Sequence, residues 1–169
     1  MNANEKNNNI KSSNNNSNRY ICFNLGPQEY GVPLLSIKEV LGLPEVTPIP
    51  QCPNYFLGIM NLRGKVISVM DLRLKIGLKP QNNSETSIMI LDLGDQLLGV
   101  VVDKVNAVIG INMKDITEAP KMEETKATDY IENVFRHNEQ LILLISIAKA
   151  LSIEDHLVLT NAQQVKIAS

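Results

Sequence analysis

Along this chain, short apolar runs alternate with turns built on glycine, proline, asparagine or aspartate, and helical spacing is rare. The clearest stretch is Gly58 to Leu72. It reads as two apolar strands joined at Gly64, which permits positive φ. Val66, Ser68 and Met70 fall on one face of the second strand, and Ile67 and Val69 on the other. A strand that is apolar on nearly both faces belongs inside a sheet rather than at its edge. Before it, Tyr20–Leu25 and Tyr30–Val32 read as strands around a Gly26–Glu29 turn. Leu34, Ile37, Val40 and Leu41 suit a short helical turn leading into an edge strand, and the prolines at 44, 48, 50 and 53 make Glu45–Pro53 an extended connection. One helical turn is expected at Asn54–Leu57. Asp71 is placed to cap Leu72–Ile76, which stops at Gly77. Lys79–Thr86 reads as a connection, followed by strands at Ile88–Leu93, Gly99–Asp103 and Leu141–Ile147 and a short helix at Ala148–Ile153.

The second half repeats the first. Phe23-Asn24-Leu25-Gly26-x-Gln28-x-Tyr30-Gly31-Val32 returns as Leu91-Asp92-Leu93-Gly94-x-Gln96-x-Leu98-Gly99-Val100. Ile37 then matches Val105, Val40 matches Val108, and Val66–Leu72 matches Leu141–Ile147. Short apolar strands with glycine turns favour small closed barrels, because closure removes exposed edges. The pattern therefore predicts two β-barrels side by side. Leu34, Ile37, Val105 and Val108 occupy equivalent places in the copies, either as core shared between them or as the lining of an exposed groove.

Composition narrows the picture. A 169-residue chain with 44% apolar and 20% charged residues is globular, and a formal charge of -2 offers no basic stripe for a polyanion. Cys22 and Cys52 lie far apart and read as reduced core residues of a cytosolic protein. Residues 1–18 form an asparagine-rich tail without the apolar centre of a signal peptide, and no run is long enough to span a bilayer. His137 and His156 have no ligand-spaced companions, and Asp71, Asp92 and Asp103 sit where caps and turns use aspartate. No phosphate loop or nucleophile elbow is present, so no enzyme, metal or cofactor is expected. Arg63 is the odd residue, a permanent cation on the turn of an oily hairpin, which must reach water or fork onto planar acceptors.

Tyr30-Gly31-Val32, Ile37-Lys38-Glu39-Val40, Gly58-Ile59-x-Asn61-Leu62-Arg63-Gly64, Val69-x-Asp71-Leu72-Arg73 and Gly99-x-Val101-Val102-Asp103-x-Val105 resemble the CheW family of bacterial chemotaxis coupling proteins. The resemblance runs from about Tyr20 to Ile153. It implies a mainly β fold of two tandem SH3-like five-stranded barrels with short helices. The expected division is a CheW-like domain over 19–159, with a first barrel over 19–80, a second over 86–150 and chain exchange at the seam, then a C-terminal tail over 160–169. The implied function is a non-catalytic scaffold at membrane-associated receptor arrays in the cytoplasm. It would join the cytoplasmic tip of a methyl-accepting chemoreceptor to the regulatory domain of a CheA-type histidine kinase. Carried over, Leu34, Ile37, Glu39, Gly58, Val105 and Val108 would bind receptor, Arg63 would clamp the seam or a partner, and Ile88 and Gly99 would lie at the kinase contact. Two positions depart from the family pattern. Pro33 stands where aspartate is common, and Asn133-Val134-Phe135 replaces a glycine-containing turn, with Asn133 expected to take its left-handed conformation. The competing reading, a small nucleic-acid-binding barrel, would want aromatic platforms, and the chain has three Phe, four Tyr and no Trp.

Overall fold

The computed structural model describes residues 18–119 and 129–163. The expected tail over 1–18, apart from Asn18, lies outside the described residues, as do 120–128 and 164–169. The first half contains β1 (Arg19–Leu25), β2 (Gln28–Pro33), a 3-10 turn (Leu34–Ser36), β3 (Ile37–Gly42), β4 (Phe56–Leu62), β5 (Lys65–Asp71) and α1 (Leu72–Lys75). The second contains β6 (Ser87–Asp92), β7 (Leu97–Val102), β8 (Lys104–Gly110), a 3-10 turn (Met113–Asp115), β9 (Ile116–Glu118), β10 (Ile131–His137), β11 (Gln140–Ile145), α2 (Ile147–Ala150) and α3 (Ile153–Gln163).

Two sheets result, a six-stranded one in the order β8-β1-β2-β11-β10-β9 and a five-stranded one in the order β3-β6-β7-β5-β4. Each copy of the repeat lends its first hairpin to the other. Hairpin β1–β2 pairs with β8 and β11 of the second copy, and hairpin β6–β7 pairs with β3 and β5 of the first. The registers repeat as well: Ile21 faces Val108 and Phe23 faces Val105, while Met89 faces Val40 and Leu91 faces Ile37. A bulge falls at the matching step in each pairing, at Cys22/Phe23 against β8 and at Ile37/Glu39 against β6. Parallel contacts complete the exchange, Gly31 opposite Leu144 and Gly99 opposite Val69.

Exchange explains why the strands are apolar on both faces. One face of each central strand fills its own barrel: Met60, Ile67, Val69, Ile88, Ile90 and Val101 in one, and Cys22, Ile111, Phe135, Ile142 and Leu144 in the other. The opposite face enters a third cluster shared between the sheets, where Phe23, Val32, Met70, Leu91, Leu98, Val100 and Ile145 meet. Cys22 is a core residue, and burial, helped by the nearby Glu29 charge, pushes its thiol up to about 12. The phenylalanines are buried in these clusters and form no stacking platform.

Several expectations need correction. The sheets do not divide at Lys79–Thr86. The second sheet is the contiguous segment 37–102, and the first is assembled from 19–33 and 104–145, because the hairpins cross over. The sheets number six and five strands, since the short β9 adds to β10. Asn54 and Tyr55 form a turn and Phe56 already belongs to β4, where its ring fills the shared core. Asn133–Phe135 is strand, not turn. The left-handed residues are Asn138 (φ 48°) and Glu139 (φ 65°), the counterparts of Arg63 (φ 51°) and Gly64 (φ 85°). The tail expected over 160–169 begins inside α3.

Helix α3 buries Leu159 and Ala162 and is tied at its first turn by polar contacts. Ser152 and Asp155 cap it reciprocally, with Ser152 N–H donating to Asp155 Oδ2 at 2.9 Å and Asp155 N–H to Ser152 Oγ at 3.2 Å. The Asp155 carboxylate is fully buried, where Lys75 Nζ donates to it at 2.7 Å and Tyr55 donates its hydroxyl proton. Burial alone would raise the Asp155 pKa. Bonds from Lys75, Tyr55 and the Ser152 amide outweigh that and hold it below the usual aspartate value. A depressed native pKa adds stability that is complete above the unfolded-state value near 4 and is lost as pH falls through the native value. Asp155→Asn is therefore expected to lower the Tm by several degrees at pH 7 and to flatten its fall below about pH 4. Thermal unfolding followed by circular dichroism across this range checks both.

Candidate interaction surface

The turn between β4 and β5 is fixed by Asn61 Oδ1, which accepts from Gly64 N–H at 2.8 Å. With φ at 51°, Arg63 swings its side chain across to β3, where Nη1 and Nη2 donate to the two Glu39 oxygens at 2.6 and 3.0 Å. Strands β3 and β4 are the two edges of the five-stranded sheet, so this fork ties one edge to the turn beside the other. The hydrogen bond from Arg63 holds the Glu39 carboxyl below its usual range, and Glu39 raises the guanidinium in turn. The sequence places Arg63 at the seam between barrels, in surroundings too oily for its charge. Instead its acceptors come from its own barrel, and the side chain is 72% exposed.

The other expected receptor residues separate into two groups. Leu34, Ile37 and Val105 are half-buried and pack against the shared core, so the core reading holds for them. Val108 on β8 is 47% exposed, and its counterpart Val40 on β3 is 38% exposed. Each lies on an edge strand with one pairing partner, and Leu35 and Leu43 flank β3 as further exposed apolar residues. Gly58 is buried with φ at 140°, and a Cβ there would lie 1.9 Å from Thr47 O. It lets the proline-rich connection bond to β4, through Thr47 N–H to Ile59 O at 2.8 Å and Ile59 N–H to Thr47 O at 2.9 Å. Ile88 and Gly99, expected at a kinase contact, face each other inside a barrel. Ile88 is fully buried, and a Cβ on Gly99 would fall 2.6 Å from Ile88 Cδ1. Neither presents a side chain to a partner.

Arg73 is the residue whose role sequence reasoning missed. It is 2% exposed and grips Asp71 through both oxygens, Nε to Oδ1 at 2.9 Å and Nη2 to Oδ2 at 2.8 Å. Its remaining donors reach Asp103 Oδ1 at 3.0 Å and Asn82 Oδ1 at 2.8 Å. Asp103 stands at the corner between β7 and β8 and accepts from Gly26 N–H, on the β1–β2 turn, at 2.6 Å through its second oxygen. One guanidinium thus joins α1, the 79–86 connection and the junction of the two sheets. The carboxylates, Asp71 first, raise the Arg73 pKa against the opposing effect of burial. The signal in the sequence is Asp71-Leu72-Arg73, where the N-cap aspartate precedes an arginine close enough to turn back onto it.

Among the described residues, no group of three His, Cys, Asp or Glu could hold a metal ion, and no helix is long and apolar enough to cross a membrane. A family model for the CheW-like domain matches residues 19–155. The chain belongs to the CheW family. The chemotaxis protein CheW of Klebsiella aerogenes is 33% identical over 143 residues, covering 84% of this chain and 86% of the relative. That of Helicobacter pylori is 32% identical over 135 residues, covering 79% and 81%. The crystal structure of the scaffolding protein TtCheW from Thermoanaerobacter tengcongensis superposes with a TM-score of 0.74 at 27% identity, covering 82% of this chain and 90% of that one. In this CheW-family chain the motif residues Asp71, Arg73 and Asp103 are joined in one buried node, while Glu39 and Arg63 are joined on the surface.

Removing the buried guanidinium strands two carboxylates. Arg73→Met is expected to cost about 3–5 kcal/mol of folding stability, the range for breaking a buried ion pair from one side. Urea unfolding of the wild type and variant measures it; a loss under about 1 kcal/mol would mean that the node is well solvated.

Proposed function

We propose that this protein is a chemotaxis scaffold that couples the cytoplasmic tip of a methyl-accepting receptor to the regulatory domain of a CheA-type histidine kinase, as an adaptor rather than an enzyme. The observation that carries this reading is the pair of equivalent edge strands, β3 and β8, which expose Val40 and Val108 on a frame otherwise closed by hairpin exchange. Exposed apolar residues on a rigid edge suit a helical partner such as a receptor tip. The relatives' names, chemotaxis protein and scaffolding protein, support it. Residues Leu34, Ile37 and Val105 back the exposed pair from the shared core, and Arg63 with Glu39 marks a polar edge beside β3. Association with receptor arrays in the cytoplasm follows from the same partners.

Val108→Glu is expected to leave the Tm within about 2 °C of wild type and to weaken binding to a receptor cytoplasmic fragment by about 1–3 kcal/mol, as for a central anchor. Ile37→Glu is expected to unfold the protein instead. Equal receptor affinity in a folded Val108→Glu variant would place the contact elsewhere.

Arg63→Lys should fold normally, because the pair it breaks lies on the surface, and should lose the two-pronged hold on Glu39. We expect receptor-stimulated kinase autophosphorylation to fall at least about tenfold, the effect of losing one charge-assisted bond at a shared surface. Full stimulation by the lysine variant would reduce Arg63 to a local clasp.

A further inference from the structure

Hairpin exchange gives every feature of one copy a counterpart in the other, so the place equivalent to the Arg73 node can be located. Asp71 corresponds to Ser146, Arg73 to Ala148 and Asn24 to Asp92, as the strand registers require. Asp103 corresponds to Leu35, which points into solvent at 66% exposure. The guanidinium that fills the first copy is thus missing from the second. At that place the structure has a surface cavity of about 470 Å³, lined by Ser146, Ala148 and Asp92 together with Asp95, Glu132 and Leu151. Its floor is apolar, with Val32, Leu91 and Ile145 from the shared core.

The carboxylates have been reassigned along with the arginine. Asp92 Oδ1 accepts from Gly94 N–H at 2.8 Å, doing for this turn what Asp103 does for Gly26. That bond comes first in holding the Asp92 pKa below its usual value. Its other oxygen lies 3.4 Å from Lys38, and Glu132 lies 2.8 Å from Lys149; both lysines are more than half exposed. Among the described residues Asp95 has no hydrogen-bond or ion-pair partner. Two negative centres with exposed partners and a third with none therefore surround a pocket with an apolar floor. That combination fits a cation with a flat, weakly hydrated face and an aliphatic stem better than a compact ammonium.

We propose that this cavity receives an arginine side chain from a protein partner, supplying in trans the guanidinium that Arg73 supplies in cis on the other side. The donor's being a protein rests on the scaffold reading; the pocket's preference for a guanidinium does not.

The test uses the full chain, labelled with nitrogen-15, and titrates N-acetyl-arginine amide against its neutral isostere N-acetyl-citrulline amide and against N-acetyl-lysine amide. Amide shifts around Gly94, Asp95 and Ala148 should report arginine binding with a dissociation constant on the order of a millimolar, and citrulline at least about tenfold weaker. Asp95→Asn should weaken arginine binding several-fold. Ala148→Arg places a guanidinium at the equivalent helical position, so it should abolish probe binding and raise the Tm. If arginine and citrulline bind alike, or arginine leaves these amides unmoved at tens of millimolar, the proposal fails. If binding appears only after residues 164–169 are removed, the chain's own end occupies the pocket, and the assignment to a partner is overturned. None of these readouts involves receptor or kinase, so failure here leaves the scaffold reading standing, and failure of receptor binding leaves the pocket chemistry standing.

Discussion

Exchange of the first hairpins between the two copies is the constraint on which the remaining structure depends. Once β1–β2 sits between β8 and β11, and β6–β7 between β3 and β5, neither half can bury its strands without the other. Each exchanged strand then has two inner faces, one toward its barrel and one toward the shared core, and both must be apolar. Packing is close at the exchanged strands, since a Cβ on Gly99 would lie 2.6 Å from Ile88 Cδ1 and would require that side chain to shift. Arg73 acts on the same constraint from outside the apolar layers. Its acceptors are the N-cap of α1 at the end of β5, Asn82 of the connection, and the corner where the chain leaves one sheet for the other, so its charge fixes the crossing point. Water would screen such a pair heavily at the surface; at 2% exposure it does not.

Much of this fold can be read from the residues. The Phe23–Val32 motif and its return at Leu91–Val100 locate the repeated hairpins, and the observed registers and bulges agree with that alignment. Membership of a sheet is another matter. Chain exchange at the seam is expected from the resemblance, but swapped and unswapped pairings of identical hairpins bury the same residues in the same alternation, so periodicity does not say which strands cross, and a cut at Lys79–Thr86 reads as natural. Helix α3 escaped for a related reason. Its buried stripe runs through Asp155, Leu159 and Ala162, and because a carboxylate paired with Lys75 and Tyr55 opens it, apolar spacing alone gives the helix a weak signal. Asn133–Phe135 misleads because asparagine tolerates a left-handed backbone, yet the strand register carries the turn on to Asn138 and Glu139.

The surface was legible by residue type and less so by location. Arg63 both reaches water and forks onto a carboxylate, the two outcomes open to a guanidinium on an apolar hairpin, and Glu39 is itself one of the candidate residues. What one sequence could not supply was their proximity, which depends on the two edges of the five-stranded sheet meeting. Ile88 and Gly99 show the converse error. The resemblance alone places them at a contact, and alternation along β6 and β7 turns both into the barrel interior.

The copies share a backbone plan and differ in polar chemistry, and the difference follows a consistent pattern. Where Asp71 and Arg73 of the first copy meet Asp103 of the second in a buried node, the equivalent place has Ser146, Ala148 and Leu35 and an open cavity. Where the first has Gly64 and Arg63 on its hairpin turn, the second has Glu139 and Asn138. Apolar positions survive duplication because both barrels and the shared core need them. Polar positions are released from that requirement once one copy has fixed the crossing. A scaffold must offer unlike faces to unlike partners, and an exchanged duplicate provides two equivalent edges on one rigid frame. Divergence of the polar groups alone can then make the edges at β3 and β8 chemically unlike without disturbing the core.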